Sequence, residues 1–101
     1  MPIQIDMHDT PEAVELRFQG NVDLQNVEAV RVKLAEAAEK KAAAYVLDFG
    51  GVDFVDSAGL GALVTFHKNC KSAKIRVLRV NDRVRRLFQI TRLDSIFALD
   101  G

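Results

Sequence analysis

The chain has one cysteine, Cys70, among its 101 residues. An intramolecular disulfide is excluded, and a lone thiol fits a reducing compartment. A surplus of either charge is missing too, because 14 Lys and Arg residues balance 14 Asp and Glu residues. That balance argues against a dedicated nucleic-acid binder and against a polybasic membrane-surface protein. No apolar run approaches the roughly 20 residues of a spanning helix, and the N-terminus lacks the basic-then-apolar pattern of a signal peptide. A cytoplasmic location without direct membrane insertion is therefore expected. His8, His67 and Cys70 are the only soft metal ligands, short of the about four that structural zinc needs. Repeats, linkers and low-complexity tracts are lacking, so residues 1–101 read as one domain. Its 49% hydrophobic content can build a core.

What is present alternates regularly. Ile3, Ile5 and Met7, then Val14, Leu16 and Phe18, alternate with polar residues across a Thr10-Pro11 turn, as an antiparallel hairpin should. A helix is predicted from about Gln25 to Lys40, with Val27, Val30, Leu34 and Ala37/Ala38 as its core stripe and Glu36–Lys40 as a surface pair. Tyr45 to Phe49 reads as a strand buried on both faces, broken by Gly50-Gly51. A second helix, about Ala58 to Lys71, places Leu60, Leu63, Val64, His67 and Cys70 on one stripe. Ile75 to Val80 is the next strand. Asn81 or Asp82 caps a third helix with Val84, Leu87 and Phe88 inward, and a short strand follows at Ser95 to Leu99. Strands separated by helices imply parallel neighbours. The expected fold is α/β, a mixed four- to five-stranded sheet with an N-terminal antiparallel hairpin and helices packed against it.

The stretch from Val52 to Val64 is the most informative. It leads through Asp53 and Asp56-Ser57 into a helix whose first turn is Ala58, Gly59, Leu60 and Gly61. A serine at a helix start can serve as a cap. Each glycine costs a helix about 1 kcal/mol relative to alanine, so a closely approaching backbone or partner should compensate. Catalytic readings fail here. Ser57 lacks the G-x-S-x-G frame of a nucleophile elbow, and Asp48-Phe49-Gly50 has no kinase glycine-rich loop before it. Gly59-Leu60-Gly61 meets Val64 where a dinucleotide loop needs its third glycine. Arg83, Arg85, Arg86 and Arg92 form a local basic patch, either a solvated helix face or a dock for an acidic partner or phosphate. On residue pattern alone, Ser57 is either a plain cap or a presented modification site.

Asp56-Ser57-Ala58-Gly59-Leu60-Gly61, after the strand Tyr45 to Asp48 and before an apolar helix, resembles the phosphorylation loop of STAS domains. These are the sulphate-transporter and anti-sigma-factor-antagonist domains. Gly20-Asn21-Val22-Asp23-Leu24 is similar to the family's Gly-x-x-Asp segment before its first helix. Asn81 through Ile96 resembles its strand-to-helix ending, so the likeness spans nearly the whole chain. Many antagonists continue into another helix after the last strand, which has no counterpart before Gly101.

The resemblance implies a non-enzymatic regulatory module without cofactor or metal, of the anti-sigma factor antagonist type. It implies that Ser57 is phosphorylated by a partner serine kinase that is also an anti-sigma factor. Asp23, Asp53, Asp56, Ala58, Gly59, Leu60 and Gly61 would form the partner-facing surface around it. A PP2C-type phosphatase would reset the protein. The alternative within the family is an accessory subunit of a lipid-transport or transporter complex, with no phosphoswitch. Oligomeric state is left open by the sequence.

Overall fold

The computed structural model describes residues 2–100. Its elements are β1 (Gln4–Asp9), β2 (Val14–Gln19), α1 (Val27–Glu39), β3 (Ala44–Gly51), α2 (Ser57–Asn69), β4 (Lys74–Leu78), α3 (Asp82–Ile90), a 3-10 turn at Leu93–Ser95 and β5 (Ala98–Asp100). The strands form one five-stranded sheet in the order β1-β2-β3-β4-β5. β1 is antiparallel to β2, and β2, β3, β4 and β5 are mutually parallel. The expected mixed sheet with its hairpin is the observed one.

Thr10 closes the hairpin. Its N–H and hydroxyl donate to the Ala13 carbonyl at 2.8 and 2.9 Å, and its hydroxyl oxygen accepts from the Ala13 N–H at 3.0 Å. The parallel strands add on in sequence order, so crossovers of one hand place the helices on one face of the sheet. The burial pattern agrees. Leu16, Leu47 and Val77, neighbours in register, are fully buried beneath the helices, with Val30, Leu34, Ala62, Leu63 and Phe66 above them. Edge-on aromatic pairs knit the layers, Tyr45 with Phe66 at 5.1 Å and Phe88 with Phe97 at 5.8 Å. The Tyr45 hydroxyl donates to the Ala37 carbonyl at 2.8 Å, which satisfies its polar tip inside the core.

Several expectations need correction. β3 is not buried on both faces: Tyr45, Leu47 and Phe49 are buried, whereas Val46 and Asp48 lie half-buried on the open side. The strand order never reverses, so no helix returns to cover that side. Gly50-Gly51 does not break β3 but ends it. A Cβ on Gly51 would meet the Phe18 carbonyl oxygen at 2.8 Å, so this register with β2 admits only glycine there.

α1 starts at Val27, because Asn26 is held in a turn. Its N–H donates to the Asp23 carbonyl at 3.0 Å, and its buried amide donates to the Asn21 carbonyl at 2.8 Å. Lys40 pairs with Asp9 at 3.1 Å rather than with Glu36, which meets Lys33 at 3.5 Å. The inward face of α2 is also rotated by one residue: Gly59, Ala62, Leu63 and Phe66 are buried, while Leu60, Val64 and His67 are half-buried. β4 ends at Leu78, since Arg79 turns the chain with a left-handed φ of 56°. Leu93–Ser95 forms the 3-10 turn, which delays the last strand to Ala98.

Candidate functional site

At the C-terminal edge of the sheet, two loops run side by side, one from β2 to α1 and one from β3 to α2. Val22 and Val55 form an isolated parallel bridge there. The Val22 N–H donates to the Phe54 carbonyl at 3.0 Å, and the Asp56 N–H donates back to the Val22 carbonyl at 3.2 Å. Both valines are buried, so the bridge extends the sheet past the ends of its strands. It places Asp23, one residue beyond Val22, on the loop adjoining the start of α2.

Asp56 organises this junction. One carboxylate oxygen accepts from the Gly59 N–H at 2.9 Å, which caps α2. The other accepts from the Leu24 N–H at 2.9 Å, which ties the neighbouring loop to the same helix end. Hydrogen bonding from Gly59 foremost, then from Leu24, holds the Asp56 carboxyl below the usual carboxylate range, against the opposing effect of partial desolvation. The capping expectation for Ser57 is corrected here. Asp56 is the cap and Ser57 is the first helical residue, exposed to solvent.

The two glycines separate sharply. A Cβ on Gly59 would lie 2.0 Å from the Val22 carbonyl oxygen, so the close approach of the β2–α1 backbone requires glycine. Gly59 is buried by that contact, which corrects its expected place on a partner-facing surface. A Cβ on Gly61 would meet nothing within 4 Å. Gly61 and Ser57 are exposed, with Ala58 and Leu60 half-buried between them. The result is a low surface around one hydroxyl.

Asp53 is exposed. Its carbonyl and that of Val52 each accept from the Asn81 side-chain amide at 3.2 Å. The Asn81 side-chain oxygen meanwhile accepts from the Val84 N–H at 2.8 Å and caps α3. Asn81 thus fixes α3 against the serine loop. The sequence marks it as a cap, but its second role depends on two carbonyls 28 and 29 residues away. Leu24 and Phe54 were also missed. They are 71% and 40% exposed, and both lie beside the Asp56-Ser57 segment. No periodicity marks an apolar residue that sits outside the core.

What the site presents to solvent is the Ser57 hydroxyl, on a helix end that Asp56 already caps. Both Asp56 oxygens are engaged, and neither histidine is placed to relay a proton. His8 lies on β1, and His67 packs its ring 5.9 Å from Phe97. Among the described residues no group of three or more His, Cys, Asp or Glu is arranged for a metal ion. No described helix is long and apolar enough to cross a membrane.

Comparison with known proteins agrees with this architecture. The chain is 29% identical over 102 residues to the anti-sigma F factor antagonist of Paenibacillus polymyxa, spanning 98% of this chain and 87% of that one. An anti-sigma factor antagonist from Mycobacterium paratuberculosis superposes with a TM-score of 0.89 at 23% identity, over 98% of this chain and 86% of that one. The Bacillus cell fate determinant SpoIIAA in its phosphorylated form superposes with a TM-score of 0.71 at 23% identity, over 97% and 91% of the two chains. The sequence model of the STAS domain matches residues 4–100. With the bridged loops, the capped serine helix and this match along its length, the chain belongs to the STAS domain family.

Proposed function

We propose that the protein is an anti-sigma factor antagonist whose binding is switched by phosphorylation of Ser57. The observation that carries this reading is the division of labour at the start of α2. Asp56 provides the cap, so the Ser57 side chain is exposed and not required to hold the helix. The related antagonist of Paenibacillus polymyxa supports the client class, and a structural neighbour exists in a phosphorylated form.

In the unphosphorylated state, Ser57, Ala58, Leu60 and Gly61 offer a flat patch flanked by Asp23 and Asp53. A serine kinase that is also an anti-sigma factor docks on it and releases its client. Phosphate adds about −1.5 to −2 charges at pH 7 at a helix N-terminus that tolerates an anion. The helix therefore survives, while the new charge falls beside Asp53 and Asp56. A surface fitted to the neutral serine loses shape and electrostatic match. A PP2C-type phosphatase restores the binding form.

Incubation with the cognate kinase and ATP, followed by peptide mass spectrometry, tests the reading. One phosphate on Ser57, and none on a Ser57→Ala variant, is expected. Unmodified Ser57 in a protein that co-purifies with a transporter or ATPase would instead support an accessory-subunit role.

A further inference from the structure

A second surface feature lies beside the serine loop and plays no part in the phosphorylation. α3 turns Val84 and Phe88 into the core and leaves Arg83, Arg86, Leu87 and Ile90 along its outer side, at the three- and four-residue spacing of one helix face. Phe54 faces this side from the β3–α2 loop. Together these residues enclose a groove of about 230 Å³, with Val84 among its lining residues and Arg83 and Arg86 bordering it. Ile90 is 70% exposed and Phe54 40% exposed, an apolar pair that the core does not use.

The arginines are equally unspent. Ion pairs among the described residues engage Arg17, Arg76 and Arg79, but none of Arg83, Arg85, Arg86 or Arg92. In a chain of zero formal net charge, Arg83 and Arg86 set two cations without an ion-pair partner among the described residues at the rim of an apolar slot. Asp53 and Asp82 are exposed at the N-terminal end of α3. A solvated helix face explains the arginines but leaves Ile90 and Phe54 without a role.

We infer that this groove docks an acidic amphipathic segment of a protein partner. An aliphatic or aromatic side chain of the segment enters between Phe54, Leu87 and Ile90, and its carboxylates pair with Arg83 and Arg86. Apolar anchors at the centre with charge pairs at the rim are the usual division of affinity and specificity in such contacts. The concavity favours an inserted side chain over a membrane, which takes up a projecting apolar ridge. The site adjoins the Ser57 surface through Phe54 but does not depend on phosphorylation, so either proposal can fail alone.

Methyl and amide NMR of the whole chain tests it, with a synthetic helical peptide of Leu and Glu as probe and its Lys-for-Glu counterpart as control. The acidic peptide is expected to shift the methyl signals of Val84, Leu87 and Ile90, and the basic one to leave them in place. An Arg83→Glu/Arg86→Glu double variant should weaken the acidic peptide about tenfold or more. Ile90→Ser should do the same without reversing charge. Both changes are at exposed positions, so the remaining amide spectrum should stay as in the parent. Absent shifts, equal binding of both peptides or indifference to charge reversal would overturn the inference. So would binding to phosphatidylglycerol vesicles in place of the peptide, or a self-association that Ile90→Ser abolishes, since these assign the groove to a membrane or to a second copy.

Discussion

Gly59 and Gly61 stand two residues apart in one helical turn and face opposite constraints. At Gly59 any side chain collides with the Val22 carbonyl, and the atom it meets is backbone that cannot swing away. Gly59→Ala should destabilise the fold by at least the ~1–3 kcal/mol typical of overpacking, read as a drop in the denaturant midpoint. Gly61→Ala meets open space and should stabilise the chain by ~0.5–1 kcal/mol through helix propensity. The same change should weaken kinase binding if Gly61 keeps the surface low. A stabilised Gly61→Ala protein with undiminished binding would show that this glycine is not clearance.

Asp56 is the other decisive residue. Its carboxyl is held below the ordinary value of about 3.9 by bonds that exist only in the folded chain. The unfolded state therefore binds more protons in that range, and stability rises with pH. The Asp56 contribution is complete above the ordinary carboxylate value and fades as pH falls through the lowered native one. Asp56→Ala should cost ~0.5–2 kcal/mol as a lost cap, and should flatten the acid limb of a stability–pH profile. An unchanged acid limb would place the pH sensitivity elsewhere.

Among the elements, those whose pattern repeats were legible in the sequence. The hairpin and α1 show as alternation or a three-and-four spacing, whereas β3, with apolar Val46 on its open side, reads as buried on both faces. α2 was legible as a helix but not in its rotation. Its apolar residues, from Leu60 to Phe66, surround much of the helix, and the contact between Gly59 and Val22 selects which of them face the core. The family likeness of the serine loop could be read from its motif, whereas the bridge behind it could not. Val22 and Val55 are 33 residues apart, and nothing local pairs them. Asn81 shows the same limit, since only its bond to Val84 is local. Asn81→Ala should loosen α3 and the serine loop together, by ~1 kcal/mol for the cap plus the two lost amide bonds. Faster hydrogen exchange in both segments is the expected sign; an effect confined to α3 would reduce Asn81 to a cap.

At the scale of the whole molecule, one face of the sheet carries the helices and the other is left to water. The open face is kept polar by opposed charges in register, Asp6 beside Arg17 and Arg17 beside Asp48, with the polar pair His8 and Glu15 next along the hairpin. Arg79 adds a two-pronged contact to Asp48 at 3.1 and 2.5 Å, and this pairing holds the Asp48 carboxyl below its usual range. Such a ladder neutralises itself and leaves no surplus of one sign on that face. Arg83 and Arg86, the exposed apolar residues Leu24, Phe54 and Ile90, and the exposed serine lie instead where the two loops and α3 meet. On the proposed function, that placement leaves the sheet as a support and puts the switch at one end. Phosphorylation should therefore alter binding without altering the fold.

The most direct test is calorimetric titration of the cognate anti-sigma kinase with two purified forms of the chain, unphosphorylated and phosphorylated on Ser57. Amide spectra of both forms would be recorded alongside. An affinity lower by about tenfold or more for the phosphorylated form, with spectral changes confined to the two loops and the start of α2, is the predicted result. Equal affinity for both forms, or loss of binding accompanied by spectral change throughout the sheet, would contradict it.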